Sequence, residues 1–225
     1  MFNFEGNKEI LSNFYITNGL ENFFKTDCEY LENAFIEINE LWKTNFNKIR
    51  EINYIMIAEA PLWGKKKNYI YNPETNNSQF FYRTDLGDVI GESILSKLDF
   101  LNAFNHLGII VLDISPYAFN QTDSVVNYRK NKNQSKGLTK KQYRELVTLT
   151  LSEYFDKKLE LISTKASDKI KVFFRYRRVK ENFEDLMIPA LLKHKLIQSQ
   201  NEIIDISQSG GGVDKMKLER ILNSR

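Results

Sequence analysis

Residues 55–64 read IMIAEAPLWG, and the way this stretch ends sets the reading of the whole chain. The apolar run NYIMIA (53–58) is short and carries almost no polar side chain. Periodicity alone does not separate strand from helix in so short a run, but its length and its Asn, Gly and Lys surroundings favour a strand. Apolarity throughout is expected of a parallel strand covered on both faces. The run stops at a carboxylate, Glu59, followed by Ala60, Pro61 and, after Gly64, three lysines. In open parallel sheets, ligands bind outside the carboxyl ends of the strands. Glu59 therefore stands where chemistry is to be sought.

Three further runs have the same character: GIIVLDI (108–114), KIKVFF (169–174) and NEIIDIS (201–207). Helical patterns separate them. Residues 27–50 place Tyr30, Leu31, Phe35, Ile38, Leu41 and Trp42 mostly three or four apart. Residues 85–105 form a second such pattern, with Asp85 as its cap. Thr139 opens a third, and Asn182 a fourth that Pro189 should kink or break. Asp214 stands at the head of a fifth, where a carboxylate suits the helix dipole. Strands alternating with helices imply an α/β fold, a three-layer α/β/α sandwich around a four-stranded parallel sheet. The 225 residues make one α/β domain, with residues 1–50 a helical segment and 51–225 the core.

The composition, 42% hydrophobic and 13% aromatic, is that of a chain able to bury a core. No apolar run approaches the roughly 18–20 residues of a membrane span, and the N-terminus lacks a secretory pattern. Cys28, the single cysteine, excludes an internal disulfide and a cysteine-rich zinc or iron–sulfur site. The expectation is a cytoplasmic protein with no cofactor, no metal, no membrane contact and no disulfide-linked partner. GGG at 210–212 matches neither a dinucleotide fingerprint nor a P-loop.

The net charge is only +3, so the placement of the charges matters more than their sum. Lys65, Lys66 and Lys67 follow the first strand; Arg129, Lys130 and Lys132 lie beyond the second; Arg175, Arg177 and Arg178 follow the third. Gly210, Gly211 and Gly212 follow the fourth and precede a helix, where backbone N–H groups can meet a phosphate. Gathered on one rim, these residues would be the footprint of a polyanion, DNA in duplex or single-stranded form. Lysine runs are otherwise ordinary solvated surface, and Glu59 would otherwise cap a helix or pair with Lys65.

Ala58-Glu59-Ala60-Pro61 resembles the Gly-Glu-Ala-Pro-Gly motif of one branch of the uracil-DNA glycosylase superfamily, with Ala58 for the first glycine and Leu62 for the last. Ser78-Gln79-Phe80-Phe81-Tyr82 is similar in place to the family's Pro-Phe stretch. Leu112-Asp113-Ile114-Ser115-Pro116 takes the place of a Thr-Asn segment, and Ser207-Gln208-Ser209-Gly210-Gly211 that of the second motif. The chain departs from the family in lacking both the four iron–sulfur cysteines and the second-motif histidine; His106 and His194 lie at neither strand exit.

The resemblance implies a DNA-repair hydrolase that extrudes uracil or another damaged base and cleaves its N-glycosidic bond. It implies catalytic roles for Glu59 and Asp113, stacking by Phe80 or Phe81, and base contacts from Ser207, Gln208 and Ser209. Neutral donors in place of histidine imply slow turnover on uracil, or a different base. Two other readings stay open. One is a non-catalytic or altered member binding nucleic acid or a nucleobase; the other is an unrelated α/β enzyme using Glu59 and Asp113 on a nucleotide or sugar, with or without a metal.

Overall fold

The computed structural model describes residues 3–64, 67–75, 83–119, 124–127, 137–208 and 212–223. Four parallel strands, β1 (Ile52–Ala58), β2 (Ile109–Asp113), β3 (Ala166–Phe174) and β4 (Ile204–Asp205), form one sheet in the order β2-β1-β3-β4. Helices flank it, so the α/β class and the all-parallel sheet are as the apolar runs require. From β1 the chain crosses one way to β2, and from β3 it crosses the other way to β4. The topological switch point therefore falls between β1 and β3, and the crevice beyond their carboxyl ends is the favoured ligand position.

Two helices precede the sheet, α1 (Glu5–Thr17) and α2 (Glu21–Lys48). The sequence reads as a helical segment over residues 1–50 but gives a helical pattern only from residue 27, which leaves the first helix undelimited. The pair does not stand apart from the core: Leu11, Phe14, Leu31, Phe35 and Trp42 belong to the same buried cluster as Ile55, Ile57 and Val111. Between β1 and β2 the sequence pattern suggested one helix, and the structure has two, α3 (Arg83–Ile90) and α4 (Lys97–His106). Gly91, at φ +72°, ends the first. Ser96 starts the second through a reciprocal capping box with Asp99.

Thr139 does open a helix, and its hydroxyl accepts from the Gln142 N–H. That helix runs as α5 (Lys140–Thr150), a π-helical turn (Leu151–Asp156) and α6 (Lys157–Ser163). After β3 comes α7 (Arg177–Lys193), which starts five residues before Asn182 and continues through Pro189. Buried Phe183, Met187, Ala190 and Leu191 lie on both sides of the proline, so packing carries the helix past the missing N–H. The fourth strand is shorter than its apolar run, because Ser199 and Glu202 cap a 3-10 turn over Gln200–Glu202. Asp214 caps α8 (Lys215–Asn223), its Oδ1 accepting from the Lys217 N–H at 3.1 Å.

Strand β2 lies at the sheet edge, and its exposed backbone groups are covered by side chains. The Val111 N–H donates to the Tyr71 hydroxyl at 2.7 Å, and its carbonyl accepts from the Trp42 indole at 2.8 Å. Tyr69, Ile70 and Tyr71 are thereby buried against the sheet edge. Among the described residues no helix is long and apolar enough to cross a membrane, and no trio of His, Cys, Asp or Glu side chains is grouped to hold a metal.

Candidate active site

A cavity of about 430 Å³ opens at the carboxyl ends of the strands. Its floor follows from strand register. Met56 and Ala58 alternate onto one face of β1, and their partners on β2 are Val111 and Asp113. Arg175 extends the same face of β3, two residues beyond Phe173, the partner of Met56. All five line the cavity, together with Glu59, Pro61, Asn68, Tyr69, Phe119, Asn127, Tyr176 and Arg178.

Glu59 is held in place by the backbone on both sides. Its carbonyl accepts from the Ser115 N–H at 3.2 Å, and that of Pro61 accepts from the Phe119 N–H at 2.8 Å. The turn after β1 thus runs beside the turn after β2, and Pro61 sits where no N–H is required. The Glu59 side chain is buried, and its Oε2 accepts from Arg178 Nη2 at 2.7 Å. Glu59 thus lines the cavity with the Arg178 guanidinium beside it.

Asp113 lies deeper, only 2% exposed. Burial pushes its carboxyl up to about 6, against the opposing pull of the Lys158 ammonium and the nearby Tyr69 hydroxyl. Tyr69 approaches without completing a hydrogen bond. Both its hydroxyl and Asp113 Oδ2 are buried with no partner among the described residues. Two buried polar atoms left in that state at a cavity wall are groups a ligand can satisfy.

The third strand's exit divides its arginines. Arg175 is buried at 4% exposure, its N–H continues the sheet to the Ile57 carbonyl at 2.8 Å, and its guanidinium lies 4.3 Å from the Tyr176 ring centre. Arg178 reaches the pocket mouth. Arg177 points away, 3.8 Å from Asp205. Lys67 pairs with Glu37 and lies over the Trp63 ring.

Ser207 and Gln208 do not line the cavity. The Ser207 hydroxyl donates to Asp205 at 2.6 Å and accepts from the Arg177 N–H at 2.9 Å, so it starts α7. Gln208 is exposed, its N–H bonded to the Gly212 carbonyl at 3.1 Å, closing the turn before α8. Lys65, Lys66, Phe80, Phe81, Arg129, Lys130, Lys132, Ser209, Gly210 and Gly211 lie outside the described residues. His194 bonds Asp156 at 2.9 Å on the helical side, and His106 is exposed.

Several pocket residues carried no sequence signal. Phe119 gives the cavity an aromatic wall, and Asn127 reaches it from a segment anchored by Asp27. Asp27 Oδ2 accepts from Tyr15, from Ser124 and from the Val125 N–H at 2.7, 3.2 and 2.8 Å. Lys158, in the unremarkable helical sequence DKKLEL, is fully buried. Comparison of the chain with protein-family models, curated proteins and solved structures gives no significant match.

Proposed function

We propose that the protein is a DNA glycosylase-like hydrolase that takes uracil or another damaged base into this cavity and cleaves its N-glycosidic bond. The observation that carries the reading is the position of Glu59. It is an inward-facing carboxylate at the end of a central strand, on the wall of a cavity of about 430 Å³ that suits one planar base.

Extruding a base costs a few kcal/mol, and stacking on an aromatic face recovers roughly 1–3 kcal/mol. Phe119 offers such a face among the described residues. As the C–N bond breaks, its electron pair leaves with the base and positive charge grows on the sugar. Glu59 stabilises that charge or orients the water whose oxygen bonds to the anomeric carbon, the water's proton passing to the carboxylate and from there to the departed base. The base anion meets N–H donors at Arg175 and Asn127, which stand in for the missing histidine.

A second reading has its own support. Described cations of the rim are engaged: Lys67 with Glu37, Arg177 with Asp205 and Arg178 with Glu59. A rim partly neutralised in this way suits a protein that binds a nucleobase or short nucleic acid without cleaving it. Duplex and single-stranded oligonucleotides carrying uracil, hypoxanthine or xanthine distinguish the two. Abasic sites formed by the wild type and lost in Glu59→Gln support the hydrolase. Salt-sensitive binding with no abasic product supports the binder.

A further inference from the structure

We infer that Lys158, fully buried and outside the pocket's lining, is a positioning residue that keeps the Asp113 carboxylate charged where it faces the cavity. This rests on the pocket being the working site, as proposed above, but not on the identity of the base.

The first support is the cost of the lysine's location. Lys158 has no exposed surface, and an uncompensated ammonium is among the most expensive groups to bury. The surroundings are built to hold it. Its Nζ donates to the Tyr154 hydroxyl at 2.9 Å and lies 4.5 Å from the ring centres of both Trp42 and Tyr154. Aromatic faces stabilise a desolvated cation in this arrangement. A leucine or methionine would fill the same space without that cost, so packing does not account for a lysine.

The second support is the route to the pocket. Tyr154 lies in the π-helical turn and Lys158 one turn later, so their side chains share a face. Such π-turns are frequent at functional sites. Trp42, over whose ring the ammonium lies, donates its indole N–H to the Val111 carbonyl at 2.8 Å, and Val111 and Asp113 line the pocket from the same strand. Attraction between Lys158 and Asp113 opposes the burial that pushes both toward neutrality. Tyr69 and Tyr71 approach Asp113 from the 67–75 segment, and Tyr154 from the helix. Glu59, Arg175 and Arg178 share the cavity. Among the described residues Asp113 Oδ2 has no hydrogen-bond partner. The lysine thus holds a charge on an atom that the fold leaves open to a ligand.

The test reads Asp113 directly, by carbon-detected NMR titration of its carboxyl in the wild type and in Lys158→Met. Loss of the cation should raise the Asp113 midpoint by about 1–3 pH units. An unmoved midpoint overturns the inference. If Lys158→Met does not fold, Asp113→Asn provides the reciprocal measurement, in which the Lys158 ammonium must titrate lower than in the wild type; an unchanged ammonium overturns it equally. On the oligonucleotide substrates, the acidic limb of the rate profile should move upward with the Asp113 midpoint in Lys158→Met. A limb that stays put while the carboxyl moves overturns the link to the pocket. A moved midpoint in a protein that releases no base supports the positioning role and removes only the hydrolase reading.

Discussion

Arg178 donates to Glu59 across 2.7 Å, tying the first turn of α7 to the end of β1 at the mouth of the cavity. The two partners differ in environment: the Glu59 side chain is 9% exposed and that of Arg178 60%. The acid is enclosed by the protein, and the arginine is the solvent-exposed half of the pair.

Removing the acid should therefore be more damaging than removing the base. Glu59→Gln keeps the shape and should lower the rate of base release by about 10²–10⁴-fold, the range for a positioned acid–base group. Arg178→Ala should cost less than that and alter stability by about 1 kcal/mol or less, because the arginine is largely in water. Single-turnover rates and urea denaturation of the two variants check both halves.

Asp113 and Lys158 give the fold a pH signature. Between the ordinary value of 3.8 and about 6, the folded chain retains a proton on Asp113 that the unfolded chain has lost. Stability from this group therefore falls as pH rises through that window. Lys158, pushed down to about 7 from 10.5, acts in the opposite sense, and stability rises as pH climbs between those values. Asp113→Asn should abolish the acidic fall, as urea midpoints measured from pH 4 to 7 would register.

Asp27 ties the segment carrying Asn127 to α2 by accepting three hydrogen bonds on one oxygen. Asp27→Ala leaves the Tyr15 hydroxyl and the Val125 N–H without that acceptor and should destabilise the protein by about 2–4 kcal/mol, since each buried orphan costs about 1–3 kcal/mol. Amide hydrogen exchange should quicken at Val125 and Val126 before it does so in β1. Equal protection in variant and wild type would mean that the segment is held by something else.

Gly108 joins α4 to β2 at φ +74°, and a Cβ there would lie 2.4 Å from the Glu51 carbonyl oxygen. Gly108→Ala combines a strained backbone with a clash against main chain, and should cost more than about 2 kcal/mol. Its urea midpoint should drop well below that of Gly91→Ala, where φ is +72° but nothing lies within 4 Å.

The strands and their order along the chain were legible because two-sided burial leaves a mark that side-chain chemistry cannot hide: short runs such as NYIMIA and GIIVLDI with no polar face. Capping was legible where a local reciprocal pair exists, as at Thr139 and Gln142. The break between α3 and α4 was missed because the apolar spacing continues across Gly91, and only backbone conformation interrupts it. Pro189 misled for the converse reason, since a local rule yielded to the packing of Phe183, Met187 and Leu191.

For the site, sequence by itself placed Glu59 and Asp113 at the exits of two strands, because a carboxylate closing an apolar run marks a strand exit. Tertiary structure alone decided the rest. Register put Met56, Ala58, Val111 and Asp113 on one face, the order β2-β1-β3-β4 brought Arg175 beside them, and Ser207 was turned away to start α7. A buried Lys158 has the same letters around it as an exposed one. Its meaning comes from Trp42 and Asp113, residues 116 and 45 positions away, and such neighbours are set by packing rather than by local order.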